Sequence, residues 1–402
     1  VQSGFDEIMS PALEFYDVFN ASGKTIDQEE MYKLFDNKGR ILVLRPEMTT
    51  PIARIAATKF NKNSYPLKLW YNAEIFRVNE DMNGKMNEIT QSGVEIIGSS
   101  SIKADVEVIE ISINALKKTG ITNFIIEIGQ ANFFKSIIKN TKLNEEESEM
   151  VRALIENKSF TELEKFIDNK KDKIDEEDIK ILKEIPKMFG GIEVVDYAMS
   201  ITKNNEAKKS LLNIKEIYEM LSETGDSSYI KIDLGMVQHI KYYTGIIFRA
   251  FASVLGSVLL SGGRYDNLLE QFGEDAPATG FAINVDSVMD TFYKQKNIPE
   301  KSKSDFLLFY GKDEVSLTYD ILKKLKDKGY RSEISLFDSE ESSVRYAESK
   351  KIDVVLNIQD ESHIKVTNLK DKSIKILSIN NFLNDFGGKN ETTCYSFDQR
   401  KA

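Results

Sequence analysis

The hydrophobic pattern of this chain switches period along its length, and the switches mark out its parts. Between about residues 41 and 98, a short β-branched run (Ile41 to Leu44) precedes Ile52, Ile55 and Ala56 at helical spacing. Thr50 followed by Pro51 reads as the cap and first turn of that helix. Two long strand-like runs follow, Leu67 to Val78 and Glu88 to Ile97, joined by the polar loop Asn79-Glu80-Asp81-Met82-Asn83-Gly84-Lys85. That pattern predicts a long hairpin. Residues 103–118 read as a helix, and Asn123 to Ile128 as a further strand.

From about 132 to 222 the period becomes helical throughout. Glu and Lys dominate, leucine and isoleucine recur every three or four positions, and β-branched runs thin out, which predicts an all-helical insertion. Strand patterns resume at Tyr229 to Leu234, Tyr242 to Ala252, Val258 to Leu260 and Gly280 to Val285, and a helix over Asp286 to Gln295 closes the unit. The polar, proline-containing stretch 297–304 reads as a linker. Beyond it, strand Phe306 to Tyr310, helices over 314–328 and 339–350, and strand Ile352 to Leu356 predict a small α/β domain, with a polar tail from about Gly387. The expected division is residues 1–297 with the insertion, then 305–402.

Composition narrows the classes. With 402 residues, 41% of them apolar and 29% charged, the chain has the balance of a soluble protein of two or three domains. No run approaches the roughly 18 apolar residues of a membrane span. Val1 to Phe5 show no signal-peptide pattern, and the missing initiator Met leaves the native N-terminus open. One cysteine, Cys394, excludes an internal disulfide framework and suits a cytoplasmic location. His239 and His363 lie too far apart for a helical zinc motif, so neither metal nor cofactor is expected. A net charge of −10 disfavours a nucleic-acid partner, although a local basic groove would matter more than the sum.

Several short motifs could carry chemistry. Ser22-Gly23-Lys24-Thr25 resembles the end of a P-loop, but Val18 stands where the motif needs glycine, so a plain turn is the reading. Glu47 and Thr49, in Arg45-Pro46-Glu47-Met48-Thr49, sit at a strand-to-helix junction. There they serve either as helix caps or as an acceptor for a ligand's ammonium group. Gln91, Gly93 and Glu95 are two apart and share a face of their strand; Arg77 joins them if the hairpin register allows. Tyr242-Tyr243 and Ser261-Gly262-Gly263-Arg264-Tyr265-Asp266 read as strand packing with a close backbone approach at the glycines.

Taken together, these pieces resemble the class II histidyl-tRNA synthetase family in order and spacing over nearly the whole chain. Phe5 to Glu14, with Pro11, looks like its motif 1. Residues 76–95 look like the motif 2 hairpin, 235–245 and 261–266 like two histidine signatures, and 305–402 like a divergent anticodon-binding domain. The resemblance implies an α+β fold: an antiparallel sheet flanked by helices, with a helical insertion and a small C-terminal α/β domain. It also implies a histidine site in which Glu47 and Thr49 hold the α-amino group, with Met48 among the binding residues, and Arg77 meets the carboxylate or the α-phosphate. Gln91 and Glu95 would line the pocket, with Gln238, Tyr242 and Tyr243 completing it.

The chain departs from the synthetases where ATP would bind. Asp286-Ser287 replaces the Glu-Arg that ends motif 3, the motif 2 loop reads Gly84-Lys85-Met86-Asn87-Glu88, and Gln238 stands for an arginine. Losing one preorganised stabilising group typically costs on the order of 10²–10³ in rate. No catalytic residues are therefore assigned. The residues at 45–54, 242–248 and 278–282 resemble instead the regulatory subunits of ATP phosphoribosyltransferase. That likeness implies a homodimer within a hetero-oligomer with the short catalytic subunit, and L-histidine as effector in histidine biosynthesis. A histidyl-tRNA synthetase, or an inactive paralogue that binds tRNA, is the alternative.

Overall fold

The computed structural model describes residues 3–20, 26–60, 65–78, 86–237, 243–254, 256–296, 304–311 and 314–385. They fall into two units, Val1–Asn297 and Ile298–Ala402. The turn expected at 22–25, the hairpin loop 79–85, Gln238, Tyr242, most of the linker (297–303) and the tail from 387 lie outside the described residues.

The described residues of the first unit contain twelve strands in chain order. They are β1 (Asp6–Glu7), β2 (Leu13–Phe15), β3 (Lys33–Phe35), β4 (Ile41–Leu44), β5 (Leu67–Phe76), β6 (Glu88–Ile97), β7 (Phe124–Gln130), β8 (Phe189–Gly190), β9 (Ile230–Asp233), β10 (Ile246–Ala252), β11 (Val258–Arg264) and β12 (Ala278–Asn284). Nine form one sheet in the order β1-β5-β6-β12-β11-β10-β7-β9-β8. The centre, from β5 to β7, is antiparallel. One face is apolar and buried beneath helices: Val94 and Ile96 of β6, Phe281 of β12, Phe248 of β10 and Ile126 of β7 join Val108, Ile109, Ile113 and Leu116 of helix Ile102–Thr119 in one core. Ser101 caps that helix by accepting from the Lys103 N–H, and Gly120 ends it in the left-handed conformation.

Residues 131–223 hold six α-helices joined by short connections, and one strand, β8. β8 corrects the all-helical expectation: these two residues pair with β9 and add an edge strand too short for a periodicity to show. Because β7 and β9 are parallel neighbours, the segment between them is a crossover built into the sheet.

A separate three-stranded sheet, β2-β4-β3, packs its inner side on the chain. Val43 is fully buried there, and Glu14 pairs with Arg54 of helix Thr49–Lys59 at 2.8 Å. Its outer side carries Leu13, Phe15 and Leu34, each about 40% exposed. In the second unit, β13 (Phe306–Tyr310), β14 (Ser332–Ile334), β15 (Val354–Ile358), β16 (His363–Asn368) and β17 (Ile374–Ser378) form a mixed sheet in the order β14-β13-β15-β16-β17. Three of these strands, β14, β16 and β17, are additions to the expected pattern. Lysines and short length mask their alternation. No helix among the described residues is long and apolar enough to cross a membrane.

Candidate functional site

The face of the large sheet opposite the apolar core carries the polar residues. In the hairpin register Tyr71 lies opposite Gly93 and Ala73 opposite Gln91, so Arg77, one residue beyond β5, falls on the same side as Gln91 and Glu95. Across β12 the row continues through Gly280 and Ala282, and across β11 through Ser261 and Gly263. Two glycines make this face hollow. A Cβ on Gly280 would lie 1.7 Å from a Glu95 carboxylate oxygen, and one on Gly263 would lie 2.8 Å from the Tyr243 ring. Side chains from elsewhere thus rest directly on the strand backbone.

Above this floor lies a cavity of about 230 Å³. Its lining includes Glu47, Thr49, Arg77, Gln91, Tyr243 and Tyr265. That is smaller than the roughly 300–1,000 Å³ of drug-sized ligand pockets, and suits a compact metabolite.

Glu47 fills the capping role the sequence allowed it, and it also lines the cavity. Its carboxylate accepts from the backbone N–H groups of Thr49 at 2.6 Å and Thr50 at 3.0 Å, so it caps the helix Thr49–Lys59. Thr50 is not the cap: it lies inside the helix, and Met48 occupies the capping position without a side-chain bond. The positive end of the helix faces the Glu47 charge, yet burial raises its carboxyl above the ordinary value. Behind it Glu95, 1% exposed, accepts from the Thr49 hydroxyl at 2.8 Å and from the Tyr265 hydroxyl. Burial pushes the Glu95 carboxyl up to about 8. The Tyr243 and Tyr71 hydroxyls are raised as well, first by burial and then by the charges of Glu95 and Glu47. Arg77 donates from Nε to the Pro46 carbonyl at 2.9 Å, which fixes the guanidinium beside the cavity. Tyr71 donates to Gln91 at 3.4 Å.

The structure brings Glu47, Thr49, Arg77, Gln91 and Tyr243 to one cavity. Met48 is not with them. Its side chain is 1% exposed in the core beside Ile52 and Leu69, and its sulfur accepts from the Ser10 hydroxyl at 3.6 Å. At a helix start, the residue between two that face a ligand points the other way. Glu95 sits behind the wall as a support for Thr49 and Tyr265. The lining also holds Asp27 and Glu30, to which no motif points, because chain packing brings them in from a non-repetitive segment.

Charge sets what the cavity can take. Among the described lining residues, three carboxylates (Asp27, Glu30, Glu47) face one guanidinium (Arg77). That set suits a small ligand carrying an ammonium group and a single carboxylate, and repels a polyphosphate. At the adjoining helix start, Asp286 accepts from the Thr90 N–H at 2.9 Å and the Ser287 N–H donates to Asn284 at 2.9 Å. Among the described residues this corner is closed by internal hydrogen bonds and its helix start carries no cation.

A family model described as histidyl-tRNA synthetase matches residues 1–288. A protein of Clostridium acetobutylicum named ATP phosphoribosyltransferase regulatory subunit is 50% identical over 357 residues, 89% of this chain and 88% of that protein. Its namesake in Clostridium botulinum is 48% identical over 378 residues, 94% of this chain and 90% of the relative. Among solved structures, an ATP phosphoribosyltransferase regulatory subunit/histidyl-tRNA synthetase from Bacillus halodurans superposes with a TM-score of 0.77 at 27% identity, over 89% of this chain and 91% of that one. The chain therefore belongs to the family of ATP phosphoribosyltransferase regulatory subunits, which carry the histidyl-tRNA synthetase fold.

Proposed function

We propose that this chain is a non-catalytic subunit that binds L-histidine in the cavity above β6, β11 and β12. It assembles with the short catalytic subunit of ATP phosphoribosyltransferase, activates it, and makes it sensitive to histidine. The observation that carries the reading is the charge balance of the cavity, three carboxylates against one guanidinium, beside a motif 3 corner that holds Asp286 and Ser287. An amino acid satisfies that set; ATP does not. In this reading Glu47 and Thr49 receive the α-ammonium group, Arg77 pairs with the carboxylate, Gln91 and Tyr243 face the ring, and Gln238 and Tyr242 complete the site.

Regulation then follows as linkage. Histidine binds one arrangement of the assembly more tightly, and the catalytic subunit's state must alter histidine affinity by the same factor, typically 5–150-fold or about 1–3 kcal/mol. The apolar outer side of β2-β4-β3 supports a second copy as partner in a homodimer.

The test is reconstitution with the short catalytic subunit. Transferase activity should depend on this chain and fall on histidine titration, and Glu47→Gln should weaken the inhibition at least tenfold while leaving assembly intact. ATP–pyrophosphate exchange driven by histidine should be absent. Exchange at a synthetase-like rate, or transferase activity indifferent to this chain, would overturn the proposal.

A further inference from the structure

Three consecutive backbone carbonyls next to the cavity are held by one helix. Helix Ala131–Lys139 begins directly after β7. From its first two turns the Lys135 ammonium donates to the Tyr243 carbonyl at 2.6 Å, the Asn132 amide to the Thr244 carbonyl at 2.7 Å, and the Ala131 N–H to the Gly245 carbonyl at 2.9 Å. Of the three, only Tyr243 puts its side chain into the cavity. Its ring rests on Gly263, where a Cβ would lie 2.8 Å away. The ring is thus fixed from below by the sheet, and its backbone from the side by the helix.

Lys135 is an odd choice for a purely structural donor. It is half-buried, and its one hydrogen bond among the described residues goes to the Tyr243 carbonyl. Burial lowers its pKa without a carboxylate as compensation. The helix is tied in turn to the rest of the crossover: Asn204 donates to the Ser136 carbonyl at 2.9 Å, and Gln130, which caps the helix start, donates to Asn213 at 2.7 Å.

The geometry points to Lys135 as a positioning residue for the cavity's ligand: it acts through Tyr243 and makes the ring's placement depend on the helical crossover. The inference rests on the histidine-binding reading above for the identity of the ligand, but the clamp itself can be tested without it. Lys135→Met keeps the aliphatic stem and removes the donor; Lys135→Arg keeps a donor. Calorimetric titration of the full chain with histidine should show about tenfold weaker binding for Lys135→Met, the fold-change of one lost charge-assisted hydrogen bond. Lys135→Arg should recover most of it. Hydrogen exchange over 243–247 should quicken in Lys135→Met alone. Histidine affinity unchanged in Lys135→Met, or equally lost in Lys135→Arg, would overturn the assignment. If the unmodified chain binds no histidine, the ligand reading fails. The clamp then stands or falls on exchange, and protection unchanged by Lys135→Met removes it.

Discussion

Replacing Glu95 with glutamine should alter the pH dependence of stability more than stability itself. Glu95 is 1% exposed, and burial lifts its carboxyl from 4.5 to about 8. Between those values the folded chain keeps a proton that the unfolded chain has released. Stability therefore falls as pH rises through the window and levels off above it, because the folded state binds more protons. At about 1.4 kcal/mol per pH unit, the full window is worth about 5 kcal/mol, of which roughly 3 kcal/mol accrues between pH 5 and pH 8. Glutamine has no proton to lose and retains an acceptor for one of the two hydroxyls. The stability difference between Glu95→Gln and the unmodified chain should thus move by about 3 kcal/mol in the variant's favour from pH 5 to pH 8. Denaturant unfolding followed by Trp70 fluorescence reads this unit alone, because Trp70 is the chain's one tryptophan and lies on β5 opposite Val94. A difference that stays constant with pH refutes the reasoning, since it would mean that Glu95 is already ionised in the folded state.

Other outcomes follow from the same geometry. An ammonium group at Glu47 and Thr49 favours the ionised form of Glu95, so histidine binding near pH 7 should release part of a proton; calorimetry in two buffers of different ionisation enthalpy measures it. Gly280→Ala would drive a methyl group to 1.7 Å from Glu95 and 2.5 Å from the Val94 carbonyl, and should cost about 3 kcal/mol in denaturant unfolding along with histidine binding. Phe15→Glu, on the apolar outer side of β2-β4-β3, should shift sedimentation from dimer to monomer. An unchanged sedimentation coefficient would mean that this face is not the contact between copies.

What the sequence revealed depended on how far apart in the chain the relevant partners lie. The hairpin β5-β6 is local and strongly alternating, so the side shared by Gln91, Gly93 and Glu95 could be read directly; only the register settled that Arg77 joins it. Glu47 and Thr49 stood out because a strand-to-helix junction aims side chains outward. Met48 was misplaced because motif adjacency says nothing about which way the residue between them points, and the core claimed it. Asp27 and Glu30 gave no signal: nothing in their own segment foretells that it folds against a cavity built from strands as distant in the chain as β12, about 250 residues on. β2, β3 and β8 are two or three residues long, too short for any period.

The sheet order also has a consequence for synthesis. One edge of β6 is paired at once by β5, but the other waits for β12. Roughly 180 residues separate Ile97 from Ala278, on the order of 10–40 s of translation at about 5–20 residues per second. During that time the polar floor of the cavity is an open strand edge on a nascent chain, while the helical crossover, rich in local contacts, can already fold. The cavity is thus among the last parts to close, and its edge is where a chaperone or a misplaced strand would find the unfinished protein.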